Sequence, residues 1–301
     1  MKKLVVIAGP TASGKTSLSI KLALHYRSEI ISADSRQFYR KMDIGTAKPG
    51  KDELKKVPHH FIDSIDVTEK YNIGKFEEEA LDKTRRLFIK HDILFLTGGS
   101  GLYIDALCKG IDELPETDPE VRDELNRKYK TEGIESLQKI LLEADPEYYA
   151  ETDINNPHRL IRALEVSMTA GKKYSSLRKN IRKQRDFTSI KIGLLVDRDE
   201  LYNRINNRVD EMINRGLVKE VENLLPYRHE NALQTVGYRE IIDYLDKKIT
   251  IDKAIEMIKQ NTRNYAKRQM TWFRRDKEIR WFDPEEFENI CRYIDSFSLE
   301  S

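Results

Sequence analysis

Leu4-Val5-Val6-Ile7-Ala8-Gly9-Pro10-Thr11-Ala12-Ser13-Gly14-Lys15-Thr16, followed by Ser17-Leu18-Ser19-Ile20-Lys21-Leu22-Ala23, is the stretch on which the fold turns. Its first five residues are apolar, largely β-branched and free of charge, the texture of a strand buried on both faces of a parallel sheet. Beyond Lys15, Leu18, Leu22 and Ala23 recur at helical spacing. Between strand and helix, Gly9 to Thr16 fits G-x-x-x-x-G-K-[ST] in the setting that motif requires. The glycines let backbone N–H groups curl around a phosphate, and the helix N-terminus adds partial positive charge. Lys15 adds a full charge, and the Thr16 hydroxyl is placed to hold Mg²⁺. The loop calls for a diphosphate or a triphosphate without saying what molecule carries it.

Outward from this loop, Glu29-Ile30-Ile31-Ser32-Ala33 reads as a second strand ending at Asp34. Ile93-Leu94-Phe95-Leu96 reads as a third, running into Thr97-Gly98-Gly99-Ser100-Gly101. Strand, turn and helix in alternation imply right-handed βαβ units with ligands at the carboxyl ends of the strands. The expected class is α/β, a P-loop NTPase-like parallel sheet flanked by helices. Around Pro115 the texture changes: Asp112 to Glu124 is acidic and turn-rich, and helical patterns then run to about Arg185. This reads as an inserted all-helical domain over 115–187, between a first core segment 1–114 and a return segment 188–301. Ile190 to Val196 looks like the strand re-entering the sheet, and helical pattern follows from Asp199 to Arg275, with turns at Gly216 and Gly237.

At 301 residues the chain can bury a substantial core without covalent staples. Cys108 and Cys291 lack metal-type spacing and suit free thiols in a reducing, cytoplasmic setting. No apolar run approaches a membrane span, and Leu4 to Ala8 is too short for a signal peptide. Nothing demands more than a monomer. Charged residues form 35% of the chain, yet 53 basic against 51 acidic side chains leave a net charge of +2. Binding to a polyanion must therefore come from local patches.

Two such patches stand out. Lys172, Lys173, Arg178, Lys179, Arg182, Lys183 and Arg185 form a block of seven basic residues without an acidic one, the composition of a backbone-phosphate surface or of an exposed helix. Lys259 to Arg280 holds eight Lys or Arg interleaved with Tyr265, Trp272 and Phe273, which suits aromatics packed as core and some arginines facing nucleic acid. Asp34, at the end of the second strand, could hold Mg²⁺, accept a proton from a nucleophile, or cap the next turn. His59 and His60 are adjacent, so their rings point apart. Imidazole hydrogen bonds in a loop are expected there rather than a metal site.

Further motifs add up to a resemblance. They are the phosphate loop, Ser32-Ala33-Asp34-Ser35, Met42-Asp43-Ile44-Gly45-Thr46-Ala47-Lys48-Pro49 and the run Pro58 to Asp63. Beyond these come Gly98-Gly99-Ser100-Gly101-Leu102-Tyr103, Pro157-His158-Arg159 with Arg162-Ala163-Leu164-Glu165, Gly237-Tyr238-Arg239 and Lys267-Arg268-Gln269-Met270-Thr271-Trp272-Phe273. In this order the chain resembles the tRNA dimethylallyltransferase, or tRNA isopentenyltransferase, family. The resemblance implies transfer of a dimethylallyl group from dimethylallyl diphosphate to the N6 amine of the adenosine immediately 3′ of the anticodon, with Mg²⁺ and with diphosphate as leaving group. By the same resemblance Asp34 is the general base, Thr11 steadies the diphosphate near the reacting carbon, and Lys15 and Arg208 neutralise the leaving group within the cradle Gly9, Pro10, Thr11, Ala12, Ser13, Gly14, Lys15, Thr16. Contacts to the tRNA anticodon stem-loop fall on Asp34, Ser35, Arg36, Gln37, Phe38 and Ser100. In the helical segment they fall on Arg122, His158, Arg159, Arg162, Lys172, Lys173, Arg178, Lys179, Arg182 and Lys183. Ser100 and His158 stand where the family commonly has Thr and Gln, and both keep hydrogen-bonding capacity. The competing readings are a small-molecule kinase on the same loop, a prenyltransferase acting on free adenine nucleotide, and a non-catalytic RNA-binding module. A kinase would move the γ-phosphoryl of ATP, whereas a prenyltransferase releases intact diphosphate.

Overall fold

The computed structural model describes residues 2–179 and 181–297. The chain forms two compact units, one made of Met1–Lys109 with Gln184–Ser301 and the other of Gly110–Lys183.

In chain order the first unit contains β1 (Lys3–Ala8), α1 (Lys15–His25), β2 (Ile30–Ser32), α2 (Lys51–Lys56), β3 (His59–His60), α3 (Ile73–Phe88), β4 (Ile93–Thr97) and α4 (Gly101–Lys109). The second unit contributes α5 (Pro119–Glu132), α6 (Ile134–Ala144), α7 (Pro146–Glu151), α8 (Pro157–Ala170) and α9 (Tyr174–Leu177). The chain then completes the first unit with β5 (Thr188–Leu194), α10 (Arg198–Asn214), α11 (Leu217–Leu224), α12 (Tyr238–Leu245), α13 (Ile251–Phe273), β6 (Arg280–Phe282) and α14 (Phe287–Ser296).

The sheet has the order β3-β2-β4-β1-β5-β6, and every pairing is parallel. Period-two alternation sends Leu4, Val6 and Ala8 into the core on one face and Val5 and Ile7 into the core on the other. Both faces are covered, as a fully parallel sheet requires. β1 lies at the centre, with Lys3 to Ile7 paired to Ile93 to Thr97 and Lys3 to Ala8 paired to Thr188 to Gly193. The loops after β1, β2 and β4 therefore open side by side at the carboxyl rim.

The edge strands β3 and β6 were not anticipated from the sequence. Two and three residues long, they are too short to show a period, and they exist because a neighbouring strand offers hydrogen bonds. The return strand begins at Thr188 and stops at Leu194, so Leu195 and Val196 lie beyond it. The second unit has a core of its own around Leu137, Leu141, Leu160 and Leu164. Three of its helices start at a side-chain cap: Asp118 before α5, Asp145 before α7 and Asn156 before α8, each with proline in the first turn. Among the described residues no helix is long and apolar enough to cross a membrane.

Candidate active site

The loop joining β1 to α1 departs from ordinary backbone geometry where the motif demands it. Ala12 (φ 64°) and Gly14 (φ 92°) lie in the left-handed region, and Gly14 is the N-cap of α1. Without a side chain to cap them, the first N–H groups of α1 face the loop's hollow, the arrangement that suits an anion. Ala12 packs with Leu201 and Ile205 of α10 and Ala266 of α13, so a small apolar cluster fixes both helices against the loop. Helix α10 starts at Asp197, whose carboxylate accepts from the N–H groups of Asp199 and Glu200, and Arg208 lies in its third turn.

Arg208 Nη1 donates to Thr11 Oγ1 (3.4 Å), and Lys15 Nζ donates to the Pro10 carbonyl (2.6 Å). Lys15 has a pKa lowered to about 7, by burial first and then by the nearby Arg208 charge, with Asp34 acting the opposite way. Burial also lowers the pKa of Arg208. Two cations crowded into one desolvated hollow are the electrostatic counterpart of a polyanionic ligand. The hydroxyl of Thr16, in the first turn of α1, can hold Mg²⁺. An ion held there would add positive charge to the hollow, and Mg²⁺ commonly keeps several waters and takes few protein ligands.

Across the rim, Asp34 follows β2 and its Oδ1 accepts from Arg36 N–H (3.0 Å). Asp34 thus caps a turn while lying near enough to Lys15 and Tyr265 for its charge to act on both. Ser35 N–H donates to Ser100 Oγ, which donates to Ser35 Oγ, both at 3.1 Å. The loops after β2 and β4 are therefore tied together beside Asp34.

The residues singled out in the sequence divide into three groups. Asp34, Ser35 and Ser100 gather with Thr11, Lys15 and Arg208 around Gly9 to Thr16. Arg36 and Gln37 make bonds within the protein: Arg36 Nη1 donates to the Asn231 carbonyl (2.7 Å), and Gln37 Nε2 donates to the carbonyls of Thr46 and Ala47, both at 3.2 Å. Phe38, the third, turns its side chain inward. It is 1% exposed, stacked on Phe76 at 5.5 Å and packed edge-on to Tyr71, because an aromatic residue after β2 points into the core rather than the rim.

In the second unit, Arg122 Nε and Nη2 donate to Glu165 at 2.5 and 3.1 Å, and Arg162 Nη1 donates to the same carboxylate at 2.6 Å. Glu165 is fully buried, whereas both guanidiniums stay partly exposed. Arg178 lies over the rings of Tyr148 and Tyr174 and pairs with Glu151. His158, Arg159, Lys172, Lys173, Lys179 and Arg182 are exposed, and Lys183 pairs with Glu113. Asn180, inside the basic run, lies outside the described residues. Arg185 belongs to the first unit, where it pairs with buried Glu77 and donates to the carbonyls of Ala106 and Leu107. Its charge is spent on the fold, so the basic run is one residue smaller than the sequence count. His60 pairs with Glu29 (2.6 Å), His59 Nδ1 lies 2.8 Å from the Val57 carbonyl, and the two histidines form β3.

Sequence reasoning missed three residues. Tyr265, expected as core, has its hydroxyl beside Ser100 and near Asp34, with its pKa raised to about 12 chiefly by burial. Gln269, four residues on, is buried against the phosphate loop. Glu220 of α11 accepts from the backbone N–H groups of Asp43, Ile44 and Gly45 and from Tyr238 Oη, bracing the Met42 to Lys48 loop from beneath. A polar residue at the core-facing spacing of a helix is the signal that could have found Gln269.

The sequence model of the IPP transferase family matches residues 37–276, a span that begins after the phosphate loop and Asp34. Full-length relatives cover those as well. A tRNA dimethylallyltransferase from Christiangramia forsetii is 52% identical over 97% of each chain, and a tRNA dimethylallyltransferase 1 from Bacteroides thetaiotaomicron is 49% identical over 98% of this chain and 96% of that one. Among solved structures, the tRNA isopentenylpyrophosphate transferase from Bacillus halodurans aligns with a TM-score of 0.71 and 38% identity over 99% of this chain and 96% of that one. A eukaryotic dimethylallyltransferase acting on tRNA aligns with a TM-score of 0.78 and 26% identity over 99% of this chain and 78% of that one. Matched along most of its length by the family's sequence pattern and end to end by such relatives, the chain belongs to the IPP transferase family.

Proposed function

We propose that this protein is a cytoplasmic tRNA dimethylallyltransferase, moving the dimethylallyl group of dimethylallyl diphosphate to the N6 amine of the adenosine immediately 3′ of the anticodon. The observation that carries the reading is the pairing of two half-sites at one rim: the cradle of Gly9 to Thr16 with Lys15 and Arg208, and the carboxylate of Asp34 beside the Ser35–Ser100 link. The first half suits a leaving diphosphate and the second a base. In the reaction the allylic C–O bond breaks, the N6–C bond forms, the diphosphate keeps the C–O electron pair, and one N6 proton passes to Asp34. Lys15 and Arg208 neutralise charge that grows on the diphosphate as the bond breaks, and the Thr11 hydroxyl positions its reacting end. Thr16 would hold Mg²⁺, which supplies further neutralisation when bound. An adenine stacked in the anticodon loop must first be turned out to reach Asp34.

The helical unit reads as the surface that grips tRNA phosphates. Arg122 and Arg162, held by Glu165, keep donors that the carboxylate does not use, and Arg159, Lys172, Lys173 and Lys179 are exposed beside them in sequence. Replacing Lys172, Lys173 and Lys179 together by alanine is expected to lower the salt slope of tRNA binding by about 2–3 while leaving diphosphate affinity unchanged. Filter binding across a salt series checks it, and a slope equal to that of the wild type removes these lysines from the interface.

The test of the function is mass analysis of tRNA nucleosides after incubation with dimethylallyl diphosphate and Mg²⁺. One prenyl unit gained on adenosine, with intact diphosphate released, is the expected result. Transfer of phosphate from ATP instead would reject it.

A further inference from the structure

Helix α13 buries a polar side chain where an apolar one would pack at no cost. Gln269 is 5% exposed, between Ala266 and Phe273, which also face the core. Both ends of its amide are used: Oε1 accepts from Thr11 N–H (2.8 Å), and Nε2 donates to the Gly99 carbonyl (2.9 Å). Only one orientation of the amide satisfies an N–H and a C=O together, so its direction is fixed by its partners. The approach is close enough to dictate the neighbouring residue. A Cβ on Gly99 would lie 2.3 Å from Gln269 Nε2, so a side chain there would push the amide off its two bonds.

Thr11 belongs to the diphosphate cradle, and Gly99 precedes Ser100, the residue tied to Ser35 beside Asp34. Gln269 is the direct bridge between the loop that holds the donor and the loop beside the acceptor.

We infer that Gln269 is a positioning residue that sets the separation between the diphosphate cradle and the adenine-side loop, so that the allylic carbon and the N6 amine meet at reacting distance. The inference rests on the proposed function. A misplacement of about 1 Å costs on the order of 10²-fold in rate when reacting atoms must be aligned. Binding of each substrate alone asks only for its own loop, so the effect belongs in kcat rather than in affinity for diphosphate.

Three variants of the full chain test it, each assayed with tRNA and dimethylallyl diphosphate alongside the wild type. Gln269→Met keeps volume and loses both bonds; kcat is expected to fall about 10–100-fold, with the Kd of inorganic diphosphate changing less than about 3-fold. Gln269→Glu accepts from Thr11 N–H at any pH but donates to the Gly99 carbonyl only when protonated. Burial raises the pKa of that carboxyl, so its kcat relative to wild type is expected to climb as pH falls from about 8.5 to about 6. Gln269→Asn, too short to span both partners, is expected to behave like Gln269→Met, and it serves if the Met variant fails to fold. Two results overturn the inference: a folded Met or Asn variant with wild-type kcat, or a Glu variant whose rate follows the wild type at every pH. A wild-type chain that transfers no prenyl group overturns the function itself, which is a different result from an active wild type with an equally active Met variant.

Discussion

Asp34→Ala, correctly folded, is expected to transfer the prenyl group about 10²–10⁴-fold more slowly than the wild type while binding diphosphate normally. Asp34 supplies the carboxylate of the half-site read as the base, and Ser35 and Ser100 beside it are bonded to one another rather than placed to take a proton. Its removal also deletes the cap on Arg36 N–H, a local loss of about 1 kcal/mol. That term is separable. Asp34→Asn keeps an oxygen to accept from Arg36 N–H but cannot take the N6 proton, so turn and chemistry part company. Single-turnover rates for Ala and Asn, read against thermal unfolding of both, make the check. An Asn variant near wild-type rate would leave Asp34 as a cap and nothing more.

The second large effect concerns Lys15. Lys15→Met is expected to cost at least about 10²–10³-fold in kcat/KM, the scale of losing a charged donor aimed at a developing oxyanion. Its pH dependence has a definite sign. In the ligand-free site Lys15 has a pKa of about 7, and a bound diphosphate favours the charged ammonium and raises it. Diphosphate affinity is therefore full below about pH 7 and falls as pH rises above it, by up to about tenfold per unit, with proton uptake on binding. Calorimetric titration of inorganic diphosphate between about pH 7.5 and 9, in two buffers of different ionisation enthalpy, measures that uptake. Uptake approaching one proton in the wild type, absent in Lys15→Met, is the expected pair of results; equal uptake in both would mean another group titrates. Stability of the ligand-free protein obeys the same linkage in reverse. The folded pKa lies below the ordinary value of 10.5, so the unfolded chain holds the proton more tightly between about 7 and 10.5 and stability rises with pH across that window.

Much of this site could be read from residue order because its parts are local. Gly9 to Thr16 forms a cradle through local backbone angles, and Asp34 reaches the same rim because it follows β2, which is parallel to β1 and separated from it by β4 alone. Where function depends on a partner distant in sequence, the letters gave less. The side chains of Phe38 and Arg185 are taken into the fold, one by burial against Phe76 and the other by pairing with Glu77. Gln269 and Glu220 looked like ordinary helical polar residues, and their roles come from Thr11, Gly99 and the Asp43 to Gly45 backbone, more than a hundred residues away along the chain.

By itself, the sequence determined the strand–loop–helix that grips phosphate, the α/β class and the order of motifs, since each depends on apolar period, glycine freedom and charge within a short window. Only the tertiary structure decided which polar side chains are satisfied by the protein and which face a ligand. Composition records how many charges and amides exist, but a hydrogen bond exists only between atoms brought within about 3 Å, and chain separation does not predict that.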